Sequence, residues 1–167
     1  LFKTNEYLKT LGIYGPLKDF CLLNNINNDF DMWNKINNPN LIFELVKIRN
    51  IKLNEGKLRL FACDCAEKTS YICPQYKNTI DFSRLYAEQK IAYEELKPYW
   101  EKCKSDFIAT FDDSARSAIR YCADKDIWTA VIGSVRHSAW ASRNCENEWI
   151  WQANRFKFYF SNPFKRI

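Results

Sequence analysis

Histidine is nearly absent from this 167-residue chain, and His137 is the only one. A metal site built on two imidazoles of one chain is therefore excluded, and any imidazole base must be this residue. Glycine is almost as scarce, at positions 12, 15, 56 and 133. Neither a G-x-G-x-x-G phosphate loop nor a P-loop can be written with that spacing. Four Gly and five Pro suit helices joined by short loops better than a turn-dense β-sandwich. No apolar run approaches the ~20 residues of a membrane span, so no membrane partner is expected. No secretory-leader pattern is visible either. The chain carries no lysine block or basic arm. Its formal charge of +5 suits an anionic partner, or simply solubility.

What is present is aromatic and thiol. Aromatic residues make up 16% of the chain, enough for an aromatic core, a partner surface, or both. Seven Cys is an odd number. Several fall on apolar helix faces, which reads as reduced thiols acting as small hydrophobes in a cytoplasmic protein.

The most apolar helical run is Lys57 to Ala66. At about 100° per residue, Leu58, Phe61, Ala62, Cys65 and Ala66 form one wide stripe. Leu60 and Cys63 fall roughly opposite. A helix apolar on nearly two sides is buried between others. Asn54 is its expected N-cap. Upstream, short helices are expected over Thr4 to Leu11, with Leu8 and Leu11 inward, and over Leu17 to Asn24. Between Asn24 and Asn40 eight residues are Asn, which favours caps and turns, with one helical turn at Met32 to Ile36. Asn38-Pro39 starts a helix with Leu41, Ile42, Leu45 and Val46 on its apolar face. Helices are expected over Tyr76 to Gln89 and Ile91 to Lys104, with Pro98 kinking the second or dividing it near Lys97. Asp112 and Asp113 read as an N-cap pair. The small-residue stripe Ala115, Ala118, Ile119, Cys122 and Ala123 follows and permits close helix approach. Asp126 caps Ile127 to Ser142, and the last helix spans Glu146 to Phe160. On that helix Trp149, Ala153, Phe156 and Phe160 form one stripe, and Trp151 and Phe158 a second. The tail is expected to be extended, with Phe164 packing back.

K-L-R-L-F-A-C-D-C-A at Lys57 to Ala66 resembles the L-R-L-F-A-C-x-C-C-R signature of an all-helical bacterial family of unknown function. The ending Ser161 to Arg166 is similar to that family's G-N-P-F-R-P, and Thr79 to Glu88 to its A-V-E-V…Y-A-D segment. Ala66 and Glu67 depart from the signature's Cys and Arg. The resemblance implies a helical fold and brings no activity, cofactor or site residue.

Constellations that could carry chemistry are thin. His137 lies beside Ser134 and Ser138, but Gly133-Ser134-Val135 lacks the G-x-S-x-G frame of a nucleophile elbow. A Cys- or His-dependent enzyme would rest on Cys65 or His137. Cys63 and Cys65 point about 200° apart on a helix, so they do not share one metal ion, and no metal site or cofactor is expected. Glu94-Glu95 and Asp112-Asp113 read as caps and solvated acids. Arg116, Arg120, Arg136, Arg143, Arg155 and Lys157 with nearby aromatics could meet phosphates and bases. The plainer alternative is an ordinary charged outer face, with Arg116 paired to Asp112.

These observations predict an all-α, single-domain bundle of about seven or eight helices. Short N-terminal helices and Asn-rich loops occupy residues 1–40, and the main helical domain residues 41–167. The expected role is a non-enzymatic protein-interaction or scaffolding module within a larger assembly, meeting a protein partner or a second copy through Trp140, Trp151 and Phe158. The alternative is a nucleic-acid-binding protein using the six basic residues above.

Overall fold

The computed structural model describes residues 2–12, 15–106 and 113–166, and the side chain of Leu11 is not among the described groups. The inward placement of Leu11 and the capping role of Asp112 therefore lie outside the described residues. The described chain is all-α, with ten α-helices and one 3-10 helix, more than the seven or eight expected. The excess comes from the Asn-rich stretch. There the single turn expected at Met32 to Ile36 is a separate helix, capped by Asn28.

The chain groups into two compact units, Leu53–Gln152 and Leu1–Lys52 with Ala153–Ile167. This grouping differs from a division at residue 40. The second unit holds α1 (Phe2–Leu11), α2 (Pro16–Asn24), α3 (Asp29–Lys35) and α4 (Pro39–Ile48). Asn25 closes α2 in the left-handed region, at φ 57°. The Asn28 side chain accepts from the Asp31 N–H at 2.8 Å to open α3. Asn38 accepts from the Asn40 N–H at 3.0 Å to open α4. The asparagines are thus capping groups, and Ile26, Met32, Trp33 and Ile36 between them are buried. The C-terminal segment completes this core. Trp33 packs on Phe156 at 6.0 Å and edge-on to Phe164 at 6.2 Å, and Phe43 meets Phe156 at 5.6 Å. Arg49 binds both oxygens of Asp29, at 2.9 and 3.2 Å.

The central unit holds α5 (Glu55–Glu67), the 3-10 helix Pro74–Tyr76, α6 (Lys77–Ala87), α7 (Tyr93–Ser105), α8 (Asp113–Cys122), α9 (Ile127–Ser142) and the start of α10 (Cys145–Tyr159). Asn54 caps α5, accepting from the Lys57 N–H at 2.9 Å. α5 packs against α6, α8 and α9. Leu58, Phe61, Ala62, Cys63, Cys65 and Ala66 are all buried, as the double apolar face requires. Two charged residues of α5 are buried with them. Arg59 donates to the carbonyls of Cys122 at 2.8 Å and Lys125 at 3.3 Å. Asp64 accepts from Arg84 at 2.7 Å.

The most extensive helix pair is α8 with α9. Ala115, Ala118, Ile119, Cys122 and Ala123 are fully buried, so small side chains set the close approach. The Ser134 hydroxyl bridges the pair, donating to the Ala118 carbonyl at 2.9 Å. Asp126 starts α9 by accepting from the N–H and hydroxyl of Thr129, at 2.9 and 2.7 Å. Pro98 lies inside a continuous α7 rather than dividing it.

Candidate functional site

The aromatic group at the outer edge of α8 and α9 begins with a glycine. A Cβ at Gly133 would fall 2.2 Å from Cγ of Tyr121, so only glycine allows that ring to lie on the α9 backbone. Tyr121 then stacks with His137, with centroids 5.1 Å apart and planes 14° apart. His137 in turn meets Trp140 edge-on at 5.0 Å. The Arg120 guanidinium lies 4.4 Å from the centre of the Tyr121 ring. Beside this stack is a cleft of about 310 Å³, lined by Tyr121, Asp126, Trp128, Thr129, Ile132, Gly133, Arg136 and His137. Arg120 and Arg136 have no acidic partner among the described residues.

His137 is half-buried, and its Nδ1 is buried without a hydrogen-bond partner among the described residues. Burial, then Arg120 and Arg136, pull its pKa down to about 4, against a smaller opposing pull from Asp113. The ring is therefore neutral at physiological pH. Between its ordinary 6.5 and about 4, the unfolded chain binds a proton that the folded chain does not. The stability from the neutral ring is complete above pH 6.5 and is lost as pH falls toward about 4. H137F keeps the stacking and removes the titration. Its unfolding free energy should gain on the wild type by on the order of 1–2 kcal/mol across that window, allowing for screening of the exposed edge. A flat difference in urea denaturation between pH 7 and pH 4 would contradict this assignment.

No family model, curated protein or solved structure matches this chain.

The serine, cysteine and histidine of a hydrolytic site are not brought together. Ser134 is committed to Ala118. Ser138 donates to the Val135 carbonyl at 3.2 Å and accepts from Gln152 at 2.9 Å. Cys65 is fully buried, and burial, reinforced by Glu148 and Asp64, raises its thiol well above the ordinary value. That is the opposite of an activated nucleophile. Among the described residues no group of three or more His, Cys, Asp and Glu side chains is placed to hold a metal ion. Among them, too, no helix is long and apolar enough to cross a membrane.

The six basic candidates do not form one set. Arg116 is only 4% exposed. It donates to the Cys103 carbonyl at the end of α7 and pairs with Asp113, so its position is structural rather than part of an open phosphate-binding face. Lys157 is likewise turned onto backbone, donating to the carbonyls of Asn34 and Ile36 at the end of α3. Both corrections have one cause: the free carbonyls of a helix C-terminus attract a cation more strongly than solvent-facing periodicity suggests. Arg143 is the left-handed cap of α9, at φ 59°, and is exposed. Arg155 lies over Phe158 at 4.4 Å and Tyr159 at 5.4 Å. Of the six, Arg120 and Arg136 alone belong to the α8–α9 site.

The three aromatic candidates also separate. Trp140 is 53% exposed and closes the stack. Trp151 is half-buried, with the Lys68 ammonium 4.0 Å from its ring centre, and Lys68 pairs with Glu148 at 2.9 Å. Phe158 is 70% exposed but lies in the other unit. Tyr121, Trp128 and Ile132 are not among the residues the sequence offers as a site, and Gly133 stands out there only for lacking a nucleophile-elbow frame. One signal was present: Trp128, Ile132, Arg136 and Trp140 repeat every four residues, an i±4n ridge of the kind that packs into a partner's groove.

Proposed function

We propose that this chain is a non-enzymatic interaction module whose ridge on α9 receives an acidic, amphipathic helix of a partner protein. One observation carries the reading: Ile132, Arg136 and Trp140 are exposed on a single i±4n ridge, and neither Arg136 nor nearby Arg120 is neutralised by a carboxylate of the described chain. An apolar-and-cationic ridge complements a helix with apolar anchors and acidic flanks. Seven unpaired cysteines, six of them buried, support a reducing, cytoplasmic setting.

Peptides selected for binding from a random display library should be rich in Asp and Glu around Leu, Phe or Trp. Their affinity should fall at least about tenfold in W140A and in R136E, the scale of losing one interface anchor. The thermal unfolding curve should not move in R136E, because that side chain is exposed, and should fall only slightly in W140A, which gives up the edge contact with His137. Selected peptides that bind both variants as tightly as the wild type would sink the reading.

A second reading, single-stranded nucleic acid, is favoured by Arg136 lying one turn from the exposed Trp140 on α9, with Arg120 over the Tyr121 ring at the other end of the stack. Two phosphate contacts predict a log–log salt slope of about −1.4 for an oligonucleotide. An oligonucleotide that does not bind at low salt removes it.

A further inference from the structure

The cleft beside the α9 ridge has features that a plain apolar anchor would not need. Its lining is partly aromatic, with Tyr121, His137 and Trp128 beside Ile132. Its volume of about 310 Å³ is at the small end for ligand sites, enough for a ring and one substituent. Arg136 lines it, and Arg120 holds the Tyr121 ring, so two guanidiniums act on the same imidazole from two helices. The one carboxylate in the lining, Asp126, is engaged at the N-terminus of α9 with Thr129. The cleft is therefore polar along its length, acidic at the Asp126 end and cationic at the Arg136 end. From position 126 to 136 along the helix is roughly 15 Å.

We infer that this cleft is a subsite for an aromatic anion, a planar ring carrying a phosphate or carboxylate group, bound with its ring against Trp128 and its anion toward Arg136. The inference rests on reading α9 as the binding surface, and names the group that would enter beside the ridge. A ring among aromatic side chains gains from stacked or edge contacts, and a guanidinium forks naturally onto a phosphate or carboxylate. The source is either a free aromatic acid or an aromatic phosphoester side chain within the partner helix. The ring-plus-anion chemistry is shared.

The test is a titration of the whole chain, followed by the indole N–H signals in nitrogen–proton NMR. Phenyl phosphate should move the Trp128 signal saturably and leave that of buried Trp33 in place. Inorganic phosphate and phenol, each lacking half of the recognition, should bind about tenfold or more weakly. R136Q, at an exposed position, should weaken phenyl phosphate about tenfold to a hundredfold without shifting the unfolding midpoint. D126N retains a capping side chain and should bind at least as tightly as the wild type, because only the like charge is lost. Equal binding of phenyl phosphate and inorganic phosphate would leave an adventitious ion only and overturn the subsite. So would full affinity in R136Q, or an unmoved Trp128 signal at about 10 mM ligand, weaker than any useful site.

To separate the sources, a phosphotyrosyl peptide flanked by acidic residues is compared with phenyl phosphate. Tighter binding by the peptide, lost in W140A while phenyl phosphate still binds, assigns the ring to the partner. Equal binding by the two assigns it to a free ligand. The outcomes of the two proposals are distinct. Display-selected peptides that lose affinity in W140A, with phenyl phosphate unbound, would keep the interaction module and discard the subsite.

Discussion

Arg59→Leu should destabilise the chain by about 3 kcal/mol, although Leu is the better core residue by hydropathy. The Arg59 side chain is 3% exposed, and its two terminal nitrogens donate to the carbonyls of Cys122 and Lys125. Those carbonyls belong to the end of α8 and the turn into α9, where a helix leaves acceptors unused. The guanidinium also lies 5.0 Å from the centre of the Tyr86 ring. Leucine fills much of the space but offers no donor, so the buried carbonyl of Cys122 would lose its partner. Arg59→Lys should recover only part of the loss, because an ammonium does not span two carbonyls as a planar fork does. Urea denaturation checks both variants. At about 2 kcal/mol per molar, a usual slope for a small protein, the leucine variant's midpoint should fall by roughly 1.5 M. A midpoint within about 0.3 M of the wild type would mean that water already serves these carbonyls.

Phe61→Ala should cost still more, about 3–5 kcal/mol. Phe61 is fully buried on α5, the helix that packs against α6, α8 and α9 in the central unit. Removing the ring gives up its transfer free energy and leaves a cavity that three helices cannot all close at once. For a chain of this size the melting temperature should drop by about 8–16 °C. Phe61→Leu, which keeps most of the volume, should lose less than half of that. A drop below about 3 °C for the alanine variant would show that α5 is not the centre of its unit.

Much of the architecture is local and was legible in the chain. Asn38, Asn54 and Asp126 were readable as caps, because a capping side chain bonds a backbone N–H only two or three residues ahead. The buried face of α8 and the two apolar sides of α5 follow from periodicity, which needs no knowledge of the partner helix. The same logic does not find cations that fold inward. Arg59, Arg116 and Lys157 look like surface charges in sequence, yet each ends on the carbonyls of a helix terminus. The acceptors of Arg59 and Lys157 lie 63 and 121 residues away, so no local pattern announces them.

The candidate site divides in the same way. Its ridge, Trp128 to Trp140, is written at four-residue spacing within one helix. Its cleft is not, since it depends on the Tyr121 ring of α8 lying on Gly133 of α9. Sequence alone determined which residues are helical, where most helices begin and which stripes are apolar, because those properties depend on neighbours within a turn or two. Only the tertiary structure decided which charges are buried, which arginines meet no carboxylate among the described residues and where aromatic rings line a cleft. Those outcomes depend on which helix termini and ring faces meet across the fold, and a side chain commits its charge to the acceptor that folding brings to it.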